Sequence, residues 1–285
     1  MLGIFSALGA ATSWTYACFL WRQQTQYFTA SKLNLIKNIL AFIIFLPILF
    51  TLNFQNNTTE VLLLLISGVI GIALGDSFYI MALRIIGTRK TLTIEAISPI
   101  IATFLGAIFL REMLSFKLYF GVFIVSISLL GIAFEGRKEN ISSISLKKGY
   151  CFALLSVIFA VLAATLSRLV LTNSSLSIFQ TTEIRLAGGI IALIPFNRSN
   201  LINSIKSLPL KKKKKLLYAT FLGTNVGILL QQNVFKLLPI GLGWTLLSTS
   251  PVIALFFAQS EGERITWKTI FFTITTILGI AVAFI

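Results

Sequence analysis

Long apolar stretches separated by short polar or basic breaks run along the whole chain. Each approaches the roughly 20 residues that a helix needs to cross about 30 Å of hydrocarbon. The pattern predicts ten spans, near 2–21, 34–53, 61–83, 91–110, 117–135, 149–170, 178–196, 216–235, 241–260 and 267–285. The seventh is the least regular: Glu183 and Arg185 interrupt its start and its uncharged part, Leu186 to Asn197, is short, so nine spans is the alternative count. The expected fold class is an all-α integral membrane protein with ten transmembrane helices.

Two polar connections stand out, 136–148 and 197–215, and the first divides the chain into halves of five spans. The halves match at an offset of 148 residues, as between Pro47 and Pro195. Leu74-Gly75 falls on Leu222-Gly223 and Leu130 to Ala133 on Leu278 to Ala281 at the same offset, while Ser98-Pro99 meets Ser250-Pro251 after a further shift of four. Their shared order and spacing indicate an internal repeat. Because five is odd, the second half crosses the membrane in the opposite sense. The expected organisation is a first five-helix repeat over 1–136, a basic connection over 137–148 and a second repeat over 149–285. Inverted repeats are associated with alternating access and a central cavity between the halves.

Composition narrows the function classes. The 285 residues are 56% hydrophobic and 12% charged, which places the chain outside soluble domains. The formal charge of +15 comes from basic residues between apolar runs, where they set topology, so nucleic acid is not an expected partner. There is no histidine, and Cys18 and Cys151 both lie in apolar runs. Disulfide scaffolds, His-ligated zinc and Ser-His-Asp chemistry are therefore unsupported. The N-terminus lacks the basic region of a secretory signal and reads as the first span.

With the N-terminus outside, the cytoplasmic connections hold Arg22 and Lys32, Arg84 to Lys90, Arg137 to Lys148, Arg198 to Lys215, and Arg264 and Lys268. The opposite connections hold chiefly Arg111, Lys117 and Lys236, so both termini are expected outside. Lys211 to Lys215 read as a topology anchor near anionic lipid.

Asp76 stands alone in a run otherwise free of charge from Val61 to Leu83. A carboxylate at such depth costs at least about 2.5–3.5 kcal/mol and must face water, pair with a cation or carry a proton. Spans three and four run to and from the loop at Arg84 to Lys90, which sets Asp76 and Glu95 at similar depth. If their faces converge they form a two-carboxylate site, suited to proton coupling or to a substrate amino group; pairing with Arg84 or Lys37 is the structural alternative. Arg168, Glu183 and Arg185 read as a second charged cluster on the other face, in which Arg168 either binds a carboxylate or reaches to the interface. Trp14, Tyr79, Asn225, Gln232 and Trp244 complete the cavity candidates. Gly71-x-x-x-Gly75 and Gly223-x-x-x-Gly227 predict close helix packing.

Several of these features together carry a family resemblance. The first span contains A-A-T-S-W-T-Y-A, and Lys37, with Arg185 as its repeat partner, enters the second. The Pro-centred fourth and ninth spans, I-S-P-I-I-A-T-F-L-G-A-I-F-L-R-E-M-L and T-S-P-V-I-A-L-F-F-A-Q-S-E-G-E-R-I-T, each lead to an acidic turn. The whole chain thus resembles, twice over, the EamA family of the drug/metabolite transporter superfamily. The resemblance implies ten helices in two inverted halves around a cavity, moving amino acids or other small metabolites across a plasma membrane, here a bacterial inner membrane. An acid four residues before the span-four proline, the place of Glu95, is also found in some amino-acid-exporting relatives. Better-known relatives keep both termini in the cytoplasm, whereas the basic loops here argue the reverse.

The expected function is therefore secondary transport of small organic metabolites, amino acids or related solutes, by export through alternating access. Import by the same fold is the alternative, and an intramembrane enzyme using paired carboxylates is the competing class. No Walker A pattern is present. No cofactor or metal is expected, coupling to protons is, and the chain is expected as a monomer or homodimer.

Overall fold

The structure is a computed structural model describing residues 1–52, 57–112, 115–134, 143–197, 201–258 and 266–284. Arg137, Lys138, Arg198, Arg264 and the acidic turn at Glu261 and Glu263, all used above, lie outside the described residues.

Among the described residues the regular structure is helical. The elements are α1 (Leu2–Gln24), α2 (Ala30–Phe45), α3 (Thr58–Ser67), α4 (Asp76–Ile94), α5 (Ser98–Phe109), α6 (Phe116–Phe134) and α7 (Ser143–Asn173). They continue with α8 (Ile178–Leu193), α9 (Leu201–Lys206), α10 (Leu210–Thr220), α11 (Gly227–Leu237), α12 (Ile240–Leu247), α13 (Ser250–Ala258) and α14 (Trp267–Phe284). Three continuous helical stretches, Ala30–Thr51, Thr58–Phe109 and Ile144–Asn173, are long and apolar enough to cross a membrane. Outward-facing large apolar side chains such as Phe104, Phe123, Phe271 and Leu278 fit a hydrocarbon surround. The described residues thus form an all-helical fold with the outward face of a membrane protein.

Local sequence explains the breaks. Thr29 caps α2 by accepting from the Lys32 amide, and Ser177 with Gln180 forms a complete capping box at the start of α8. Pro47 and Pro195 both sit in 3₁₀ turns that end helices, and Pro99 occupies the first turn of α5. Gly68–Gly75, between α3 and α4, and Phe221–Val226, between α10 and α11, are π-helical. Gly75 and Gly223 thus both fall in π segments at the 148-residue offset.

Within α4, Gly87 has φ 81 and ψ 171, a conformation strained for any residue with a Cβ. Asp76 and Glu95 would lie about 28 Å apart on a straight helix. Both line one cavity, so the chain reverses at Gly87. The connection expected as 197–215 differs from expectation, since it contains α9 and the lysines of α10 begin that helix.

Close packing is concentrated at glycines. Cβ atoms at Gly68 and Gly188 would stand 2.0 Å from the Arg185 carbonyl oxygen and 2.3 Å from that of Leu65, so the backbones of α3, its π extension and α8 nearly touch. Gly71 faces Ala163 and Gly75 faces Phe159 on α7, while Gly223 faces Ala17 and Trp21 on α1. The small-residue motifs therefore act in close packing.

The two ends of the bundle differ. At the C-terminal end of α1, Gln24 donates to the Lys212 carbonyl at 3.2 Å, Lys215 to Gln23 at 3.1 Å and Lys32 to Ser204 at 2.5 Å. At the other end, Glu112 accepts from Arg168 and, at 2.8 Å, from the Ile240 amide, while Arg168 also donates to the Phe235 carbonyl.

Candidate functional site

One cavity lies among α1, the first π segment, α4, α5, α7, α8, α11 and α12, with about 70 Å³ open to the centres of water molecules. That is room for several waters or part of a small solute. Trp14, Asp76, Tyr79, Glu95 and Trp244 line it, five of the residues singled out from sequence. Arg185, Gln231, Ser98, Ser156 and Ser250 line it as well.

Asp76 sits where the first π segment passes into α4, and its carboxylate accepts from Lys37 Nζ at 2.5 Å. Lys37 is fully buried, lies 5.1 Å from the centre of the Trp21 ring and also donates to Asn38 at 3.3 Å. Beside it, the Asn34 amide donates to the Ile72 carbonyl at 2.7 Å and to Ser77 at 2.9 Å. A π segment disturbs the regular backbone ladder, and this side chain satisfies a carbonyl there. Asp76 is thus the acid of an internal ion pair that also borders the cavity.

Glu95 occupies the 3₁₀ turn leading to α5, where it faces the Trp14 indole and lies within electrostatic reach of Asp76. The Trp14 N–H also donates to the Tyr79 hydroxyl at 3.3 Å, and that hydroxyl contacts Cys18 Sγ at 3.3 Å. The two carboxylates expected at matched depth do converge on one cavity.

The expected cluster of Arg168, Glu183 and Arg185 is not formed. Arg168 is engaged by Glu112 and the Phe235 carbonyl at the bundle end. Glu183 is buried away from the cavity lining, without a hydrogen-bond partner for either oxygen. Residues 183 and 185 are two apart on a helix and so face different ways. Arg185 instead enters the cavity wall, its Nη2 3.3 Å from where a Cβ on Gly71 would stand. Its Nε and Nη1 are buried with no hydrogen-bond partner.

Asn225 and Gln232 also lie outside the lining. Asn225 donates to the Ala41 carbonyl at 3.0 Å, and Gln232 accepts from Ser167 at 2.5 Å. Gln231 takes the cavity-facing position, one residue from that expected. Asn225 and Gln232 each turn to a neighbouring helix, which supplies the partner that a cavity would otherwise give.

A scan of family models matches the EamA-like transporter family over residues 1–134 and again over 147–285. A protein of Archaeoglobus fulgidus described as an uncharacterized transporter is 32% identical over 133 residues, which is 45% of this chain and 45% of the relative. A crystal structure of another protein superposes on 96% of this chain and 96% of its own with a TM-score of 0.65 at 13% identity, a likeness of fold alone. This chain belongs to the EamA-like transporter family of the drug/metabolite transporter superfamily.

Proposed function

We propose that the protein is a secondary transporter that exports small organic metabolites, amino acids or related solutes, by alternating access between two inverted five-helix halves. The observation that carries this reading is the cavity itself, lined from the first half by Trp14, Asp76 and Glu95 and from the second by Arg185, Gln231 and Trp244. A polar, charged cavity inside apolar helices has use for a solute and little for stability. Three structural features support the repeat. The two π segments and the two proline-containing 3₁₀ turns sit at equivalent places in the halves. The third span packs by glycine on the sixth, and the eighth on the first.

Opening toward the N-terminal end of α1 requires the Arg168–Glu112 contact to part, because it joins the first half to the second. Opening at the other end requires release of the contacts between α1 and the lysines of α10. The greater number of basic residues in the loops at that second end supports a cytoplasmic position for it in a bacterial inner membrane, with both termini outside. Glu95 and Asp76 supply the groups for proton coupling.

The test is flux in proteoliposomes with labelled amino acids, sugars and nucleobases, with and without a pH gradient. Saturable movement of at least one small organic solute is expected. Absence of carrier-dependent flux across the whole panel would overturn the reading.

A further inference from the structure

The cavity presents more hydrogen-bond donors than the protein itself uses. Arg185 is 4% exposed, and its Nε and Nη1 have no partner. Trp244, 6% exposed, lines the same space with its indole nitrogen unpartnered, as is the Ser98 hydroxyl. A buried guanidinium retained without an acceptor is costly unless another molecule supplies one. Asp76 lies within electrostatic reach of Arg185 but bonds the other buried cation of the cavity region, Lys37, at 2.5 Å, and so leaves the Arg185 donors unbonded.

We infer that Arg185 is the anchor for a carboxylate of the transported solute, with the Trp244 N–H as a second donor to the same group. The inference rests on the transport reading above and names the feature by which the site selects its solute. The fork of a guanidinium matches the two oxygens of a carboxylate. Charge favours a monoanion over a phosphate: Arg185 is the cation of the cavity lining, and Asp76 and Glu95 line the same space. Trp14 and Tyr79, with ring centres 5.5 Å apart, offer an aromatic wall for the rest of the solute. Arg168, the arginine first considered for this task, already has a carboxylate in Glu112.

The experiment uses matched solutes that differ only at this group: benzoate against benzamide, phenylalanine against phenylalaninamide, and leucine against leucinamide. Binding to the purified full-length protein and flux in proteoliposomes are both measured. The carboxylate member of at least one pair is expected to bind at least about tenfold tighter than its amide, since discrimination of this kind leaves buried donors unpaired in the amide complex. R185Q should erase the preference and R185K should keep part of it.

The wild-type comparison stands even if R185Q fails to fold. Equal binding of acid and amide in every pair, or an R185Q protein that retains the preference, overturns the inference. Transport of the amides or of uncharged solutes alone would do so while leaving the transport reading intact. No flux or binding with any solute removes both.

Discussion

Lys37 and Arg185 stand 148 residues apart, the offset at which other positions of the chain match, yet they meet different circumstances. Lys37 has an internal acid, and Asp76 lies at the start of α4 to provide it. The residue 148 positions after Asp76 is Thr224, which carries no charge. Arg185 accordingly reaches the cavity with two nitrogens unpartnered. Asp76 bonds Lys37 directly and reaches Arg185 only through its charge, so the first cation serves as framework and the second keeps two donors unpartnered.

The comparison is most strongly tested by removing one member of the internal pair. Asp76→Asn strands a buried ammonium, and loss of one partner of a buried pair costs about 3–5 kcal/mol. Arg185→Gln breaks no hydrogen-bonded ion pair and should cost much less in thermal unfolding in detergent than Asp76→Asn. Equal losses of stability in the two variants would dissolve the distinction. A second, smaller effect is expected from Gly68→Leu, because even its Cβ would stand 2.0 Å from the Arg185 carbonyl oxygen. Overpacking of this kind costs about 1–3 kcal/mol, and the displaced α8 should lower flux together with stability.

Glu112→Gln weakens the Arg168 contact but keeps an amide oxygen to accept from it, so the loss of stability is expected to stay below that of Asp76→Asn. Its readout is access. Labelling of Ala11→Cys in the cavity wall by an impermeant thiol reagent applied at the lysine-poor side should rise, and unchanged labelling would remove this contact from the gate. The smallest effect on stability is expected from Glu95→Gln. It should abolish the response of flux to an imposed pH gradient while carboxylate binding persists, and an unaltered response would move coupling elsewhere.

Much of the architecture was legible because hydrocarbon length and polar punctuation leave strong marks. Asp76 and Glu95 could be paired from their distances to the intervening basic loop, and Gly87 supplies the reversal that makes this true. Arg185 was less legible. It looked like an entrance residue of a weak span, although the Ser177 capping box starts α8 at Ile178 and sets Arg185 about 10 Å into the helix. Gln232 was misplaced for a different reason. Gln231 and Gln232 are adjacent amides, and residue type alone does not say which of them turns to the cavity and which meets Ser167. Pairing of Arg168 with Glu112 depended on three connections meeting in space, which local pattern does not carry.

The most direct measurement is a crystal structure of the protein with 4-bromobenzoate, whose bromine can be located by its anomalous scattering. The bromine is expected inside the cavity beside the Trp14 and Tyr79 rings, with the carboxylate accepting from Arg185 Nη1 and the Trp244 indole. Bromobenzoate bound elsewhere, with Arg185 left without an acceptor, would contradict this.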